Sequence, residues 1–346
     1  MVRPSARSLE KSEKKEEEVL KVESFASATC DCAVVGTKGR RKEHEDAHSV
    51  SVTDQGAGLW VLDGHRGREA SAFGADEIPK EIGQTISGGR LPSNGRIQQS
   101  FRTVDNRLRK YLKEKTKDTI SGSTVIGALV ARQGDGSYSA KVINCGDSRG
   151  IIIEDPDESK TGKSATVLQT VDHKPDHPKE KARVQAAGGT VTKGRCPRID
   201  GKLAVSRSLG DFDFKADKGK QAAQQKVSCE PDIYEVTGLK AGALLVLACD
   251  GIWNVMSSET VADMVHETLK LSPTKSLAEI ASSIVRESYD RGSCDNLTVL
   301  LARLSGGARP EAVKSRGPEA AAEPGRGATE GARAEAAQRP GGCEAM

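Results

Sequence analysis

Apolar residues along this chain follow two patterns: short unbroken runs, and longer stretches in which they recur every three or four positions. The runs predict strands over Cys32 to Thr37, His48 to Thr53, Leu59 to Leu62, Thr124 to Ala131, Ser139 to Asn144 and Gly150 to Ile153. Further strands are predicted just before Asp172, at Ile233 to Val236, at Ala243 to Cys249 and at Leu297 to Leu304. Gly134-Asp135-Gly136 predicts a hairpin turn between two of them. The wider spacing predicts helices over Glu69 to Ile86, Ile97 to Lys115, Lys179 to Ala187, Ser258 to Leu271 and Pro273 to Tyr289. In the second, Ile97, Phe101, Val104, Leu108, Tyr111 and Leu112 make the buried stripe. Strands neighbour strands, and helices come in pairs between them. That order predicts an α+β fold, with antiparallel sheets and helices packed outside.

Both ends lack these patterns. Glu10 to Glu18 is nearly all Lys, Glu and Ser, and Ser305 to Met346 is rich in Gly, Ala, Pro, Glu and Arg. Neither buries enough apolar surface to offset ordering entropy. Residues 1–23 are expected to be a disordered charged segment, residues 24–304 the folded domain, and residues 305–346 a disordered tail. Pro197 to Val227 is irregular and Lys-rich towards its end.

Several strands end in a carboxylate. Leu59-Trp60-Val61-Leu62 runs into Asp63-Gly64-His65, and Leu244 to Cys249 runs into Asp250-Gly251. Asp295-Asn296 precedes the last strand, and Glu45-Asp46 precedes the second. A lone Asp-Gly is commonly a turn. Glu45, Asp46, Asp63, Asp147, Asp250 and Asp295 together make a set whose mutual repulsion calls for a cation. Hard divalent ions such as magnesium and manganese suit oxygen ligands of this kind. Trp60 and Trp253 read as core residues.

Composition narrows the choice. Aromatics are 3% of residues and the net charge is +3, which argues against a nucleic-acid binder. The eight cysteines include no C-x-x-C pair, so a zinc ribbon is not expected, and reduced thiols fit a cytoplasmic or nuclear protein. Cys145, Cys249 and Cys294 flank candidate ligands and read as small apolar groups. No secretory leader and no membrane span are expected.

Gly39 to Ala47, Val61 to His65, Ser121 to Thr124, Asn144 to Arg149, Asp172 to Pro175, Val205 to Asp211, Cys249 to Trp253 and Asp295-Asn296 occur in one order. In that set and order the chain resembles the metal-dependent protein phosphatase 2C family from about Phe25 to Leu304. The resemblance implies a four-layer α-β-β-α sandwich, two central antiparallel sheets flanked by helices, with a two-metal site at one end. It implies hydrolysis of phosphoserine and phosphothreonine in phosphoprotein substrates by a monomer using two magnesium or manganese ions. No nucleic acid or membrane partner is expected.

Residue by residue, Asp63 matches the carboxylate bridging both ions, and the Gly64 carbonyl completes one shell. Asp250 and Asp295 match ligands of the other ion. Glu45 matches a carboxylate at the metal pair, direct or through water, and Asp46 the acid beside it. Arg41 matches the arginine that grips phosphate, where a planar fork suits two oxygens. His65 reads as a general acid for the leaving oxygen, or as a structural partner of a neighbouring carboxylate. Asp147 matches part of a weak third metal position. Asn254 stands where the family often has an aspartate, so that position is expected to be weakened. Asn254 is also the only support for a rival reading, a pseudophosphatase that binds phosphoproteins without turnover. His173 and Arg207 read as loop-holding residues. Lys215, Lys218, Lys220 and Lys226 read as a solvated flap, or else as a bias towards acidic substrates.

Overall fold

A computed structural model describes residues 19–83, 90–115, 120–154 and 165–306. The strands are β1 (Lys21–Ala26), β2 (Cys30–Thr37), β3 (Ala47–Val52), β4 (Gly56–Leu62), β5 (Gly64–His65), β6 (Gly122–Ser123) and β7 (Val125–Arg132). They continue with β8 (Tyr138–Cys145), β9 (Arg149–Glu154), β10 (Ala165–Gln169), β11 (Leu209–Gly210), β12 (Asp232–Leu239), β13 (Leu244–Ala248) and β14 (Leu297–Leu304). The α-helices are α1 (Glu69–Gly83), α2 (Asn94–Lys115), α3 (Pro178–Ala186), α4 (Asp250–Trp253), α5 (Ser258–Leu271) and α6 (Leu277–Asp290).

The strands form two large sheets. One has the order β1-β2-β14-β13-β9-β10 and the other β12-β8-β7-β4-β3. Every named strand pair in them is antiparallel. One cluster of apolar side chains, including Val34, Leu59, Val61, Val142, Leu245 and Leu300, lies between the sheets. A second joins the first sheet to α5 and α6 through residues such as Val246, Val299, Val265 and Ile284. A third joins the other sheet to α1 and α2 through Trp60, Leu62, Ile78, Phe101 and Leu108. The result is the expected α-β-β-α sandwich. It also explains the unbroken apolar runs: β4 and β13 are buried at every position because each has a sheet on one face and helices on the other.

Some boundaries differ from the sequence reading. The first strand among the described residues starts at Lys21, ahead of the expected Ser24 to Phe25. β1 pairs along its whole length with β2, Lys21 opposite Gly36 and Ala26 opposite Asp31. It is an exposed edge strand whose charges face water, so its pattern resembled the charged segment before it. The last helix starts at Leu277, not Pro273, because Ser276 caps it in a reciprocal box with Glu279. The expected end of the first helix, residues 84–86, lies outside the described residues, as do most of the expected terminal segments. Among the described residues, no helix is long and apolar enough to cross a membrane.

Pro197 to Val227 is irregular as expected. It has its own small core of Ile199, Leu203, Val205, Phe214 and Val227, packed under α3 through Val184. Two-residue strands β5, β6 and β11 form a third sheet in the order β11-β6-β5.

Trp60 and Trp253 are core residues, as expected. Trp60 lies across Gly127, its neighbour in the β4–β7 register. A Cβ at Gly127 would stand 2.1 Å from the indole Cε3. Gly127→Ala is therefore overpacked and should lower stability by about 1–3 kcal/mol in urea denaturation. An unchanged midpoint and slope would show that the indole moves aside freely.

Candidate active site

The carboxylates are delivered to one end of the sandwich by strand register. In the β3–β4 pair Ala47 faces Leu62, which sets Asp46 beside Asp63 one step further on. In the β13–β14 pair Ala248 faces Val299. One step on, the Cys249 N–H donates to the Thr298 carbonyl at 3.2 Å, and Asp250 and Asp295 flank that end. Asp147 sits in the turn where the chain leaves β8 in one sheet for β9 in the other.

Oxygen atoms of Asp46 and Asp63 and the Cys249 sulfur lie within 4.8 Å of one another. Burial first, and then Asp46 and Asp250, raise the Asp63 carboxyl well above the usual range. Burial also pushes Asp46 up to about 7, with Asp295 and Asp250 adding to the effect. Asp250 is likewise pushed up to about 7 by burial and by Asp147. The Asp46 Oδ2 accepts from the Thr298 hydroxyl at 2.7 Å, whereas its Oδ1 is buried with no protein partner. The Cys249 thiol is held neutral, its pKa raised by burial and the surrounding carboxylates. It is buried, which fits the apolar reading, although it borders the cluster directly.

This donor set fits a hard divalent cation. It is rich in carboxylate oxygen, it carries repulsion a cation would relieve, and it contains an orphaned buried oxygen. Gly64 shows the same tightness: a Cβ there would stand 2.3 Å from the Glu45 carbonyl oxygen and 2.7 Å from the Ser71 Oγ. Only glycine lets the two loops meet. The Glu45 carboxylate accepts the Gly67 N–H at 2.6 Å and so stands at the edge of the cluster, outside the Asp46–Asp63 group.

Arg41 is half exposed, and it donates to the Asp295 Oδ2 at 2.7 Å and to the Cys294 carbonyl at 3.1 Å. Its loop is held by Asn296, a residue to which the sequence reading assigned no role. The Asn296 amide donates to the Lys38 and Glu43 carbonyls, each at 2.9 Å, and accepts the Glu45 N–H at 2.9 Å. Lys174 was also missed. Its ammonium lies 2.5 Å from Asp147 Oδ2 and 3.9 Å from Asp250 Oδ2. Asn254 donates to the same Asp250 Oδ2 at 3.0 Å. Lys174 and Asn296 both sat inside family-like segments, but a lysine or an amide beside acids signals nothing without the contact.

His65 Nε2 lies 2.8 Å from Asp211 Oδ2, so the carboxylate partner that sequence allowed for is present. His173 accepts the Gly146 N–H through Nδ1 at 3.1 Å and pairs with Asp232 at 3.2 Å, which braces the turn carrying Asp147. Arg207 joins Glu180 and Asp232. Both are loop-holding, as expected. Of the flap lysines, Lys215 is buried, 2.8 Å from Asp105, and was wrongly read as part of a solvated surface. Lys220 pairs with Asp217 and Lys226 with Asp200, so these charges are largely answered within the chain.

The chain is similar in sequence and fold to known phosphatases. The protein phosphatase 2C family profile matches residues 30–297. The chain is 34% identical over 292 residues to protein phosphatase 1A of Bos taurus, covering 80% of this chain and 72% of that protein. It is 34% identical over 296 residues to protein phosphatase 1B of Mus musculus, covering 80% and 71%. A crystal structure of a phosphatase from Toxoplasma gondii superposes with a TM-score of 0.71 at 26% identity, covering 84% of this chain and 96% of that one.

The raised carboxyls have a consequence for stability. Unfolded, Asp46 and Asp250 would ionise near their ordinary value of about 4. Folded without metal, they hold protons up to about 7. The folded state therefore binds more protons between those values, and stability falls as pH rises through that window. In chelator, the melting temperature should drop by several degrees from about pH 6 to about pH 8, and magnesium should restore more at the higher pH. A chelated protein that melts higher at the alkaline end would contradict the repulsion.

Proposed function

The chain belongs to the protein phosphatase 2C family and is a metal-dependent protein serine/threonine phosphatase; we propose that its carboxylate cluster holds two magnesium or manganese ions with Asp63 between them. The observation that carries this reading is the half-buried Asp46–Asp63 pair, raised in pKa, with the Asp46 Oδ1 buried and without a partner. In the proposal, Asp250 and Asp295 hold one ion, the Gly64 carbonyl completes the shell of the other, and Glu45 reaches the pair directly or through water. When bound, such ions lower the pKa of a water molecule and neutralise phosphoryl charge.

The chain's own groups do the rest. Arg41 stands at the rim with its guanidinium on Asp295, so two phosphoryl oxygens of a phosphoserine or phosphothreonine can meet its fork beside the cluster. His65 gives a proton to the departing serine or threonine oxygen. Asp46 holds β14 through Thr298 and sets the charge around Asp63. A third ion at Asp147 and Asp250 would compete with the Lys174 ammonium and would find only a neutral amide in Asn254.

Calorimetric titration with manganese should give two tight ions for the wild type. Asp63→Asn should lose both the binding and phosphopeptide turnover; retained stoichiometry in that variant would remove Asp63 from the bridging position. Arg41→Ala should raise KM for a phosphopeptide by about tenfold or more, with a smaller fall in kcat, because the ion pair to phosphate exists in ground and transition states alike. An unaltered KM would exclude Arg41 as a phosphate ligand.

A further inference from the structure

The segment Val205 to Asp211 ends in a carboxylate for which the reading above has no use. Asp211 is fully buried, with its backbone in the left-handed region at φ 51. Its Oδ2 receives the Ser208 hydroxyl at 2.5 Å and lies 2.8 Å from His65 Nε2, and its Oδ1 receives Arg66. These donors outweigh burial and hold the carboxyl below its usual range, so it is an anion.

The third sheet accounts for the meeting. Gly122, on its central strand, faces His65 on one side and Gly210 on the other. A Cβ on Gly122 would stand 2.2 Å from Asp211 Oδ2 and 2.4 Å from His65 Nε2. The imidazole and the carboxylate therefore meet over the one position in that strand that has no side chain. The strand that ends just before Asp211 is itself fixed, because the Gly210 N–H donates to the buried Asp105 at 2.8 Å.

We propose that Asp211 is the positioning residue for His65: it takes the Nε2 hydrogen, fixes the ring, and leaves Nδ1 as the nitrogen that delivers the proton to the leaving oxygen. This rests on the reading of His65 as proton donor. In the step, a water oxygen bonds to phosphorus and the bond from phosphorus to the serine or threonine oxygen breaks. The electron pair stays on that oxygen, which takes the proton from Nδ1. The imidazolium becomes a neutral ring that keeps its Nε2 hydrogen on Asp211. The water's hydrogens remain with the product phosphate or pass to solvent, from which the ring is recharged. A buried carboxylate on the far nitrogen holds the Nε2 hydrogen and fixes the ring's orientation.

The test compares two substrates on the magnesium-loaded full chain. The alkoxide of a phosphothreonyl peptide needs a proton to leave, whereas the phenolate of 4-nitrophenyl phosphate does not. For Asp211→Asn, the ratio of peptide kcat to nitrophenyl kcat should fall about tenfold or more, towards the value for His65→Gln, with partial recovery in Asp211→Glu. The double variant should fall little further than either single one. A misfolded fraction lowers both rates together and leaves the ratio alone, so an unchanged ratio makes Asp211 merely structural and overturns the proposal. Gly122→Ala keeps both groups but forces them apart, and it should lower the ratio even if Asp211→Asn does not fold. If His65→Gln itself leaves the ratio unchanged, His65 is not the donor and the underlying reading falls. If only the Asp211 and Gly122 variants leave it unchanged, the positioning role alone falls. Nitrogen-15 spectra of the imidazole, taken at a pH where the ring is neutral, give a readout independent of turnover: Nε2 should carry the hydrogen in the wild type, and the tautomers should redistribute in Asp211→Asn. Identical spectra would also overturn the proposal.

Discussion

Carboxylates brought together in a low dielectric repel one another, and the architecture around them is arranged to hold them against that repulsion. Asp46, Asp63 and Asp250 are each raised in pKa by burial and by the charge of neighbouring carboxylates. No isolated loop would keep such groups in place. Here they project from strand ends whose other residues are buried between sheets and helices, so separating the carboxylates would require pulling β4 or β13 from the core. The favourable burial along each strand is coupled to the unfavourable charge at its tip. A divalent cation turns that stored repulsion into binding.

Two further devices complete the site, and both use polar groups in place of apolar packing. Asn296 ties the loop bearing Arg41 to the start of β14 with three hydrogen bonds at the same length. Arg41 and the carboxylates are thereby built on one rigid junction. On the opposite side, His173, Arg207, Glu180 and Asp232 form a network that braces the turn of Asp147 and the irregular flap behind it. Glu180 is held down to about 2 in spite of burial because Arg207 and Arg183 surround it. The flap is therefore a fixed wall with its own small core, and most of its lysines are spent on internal pairs.

Glycines mark where separate elements must approach more closely than a side chain allows. Gly64 lets the β5 start meet the Glu45 loop, Gly122 lets His65 meet Asp211, and Gly127 lets Trp60 lie flat on its sheet. At Gly122 and Gly127 the requirement is room, not backbone conformation, since neither has a positive φ.

The periodicity and the runs determined nearly all strands, the helices and the antiparallel sandwich, because these follow from which faces are apolar. The same runs, bounded abruptly by acids, were enough to mark Asp63, Asp250, Asp295 and the Glu45-Asp46 pair as a candidate cation site. The edge strand at Lys21–Ala26 was hidden because an edge exposes its charged side chains and so reads like a disordered segment. What only the tertiary structure decided are the pairings between distant segments. Asp211 on His65, Lys174 on Asp147, Asn296 under the Arg41 loop and Lys215 on Asp105 join residues separated by up to 258 positions. Polar contacts of this kind leave no periodic trace, since one carboxylate or amide in a loop looks the same whether it faces water or a buried partner. Their meaning is set by register and burial, which exist only once the sheets have closed.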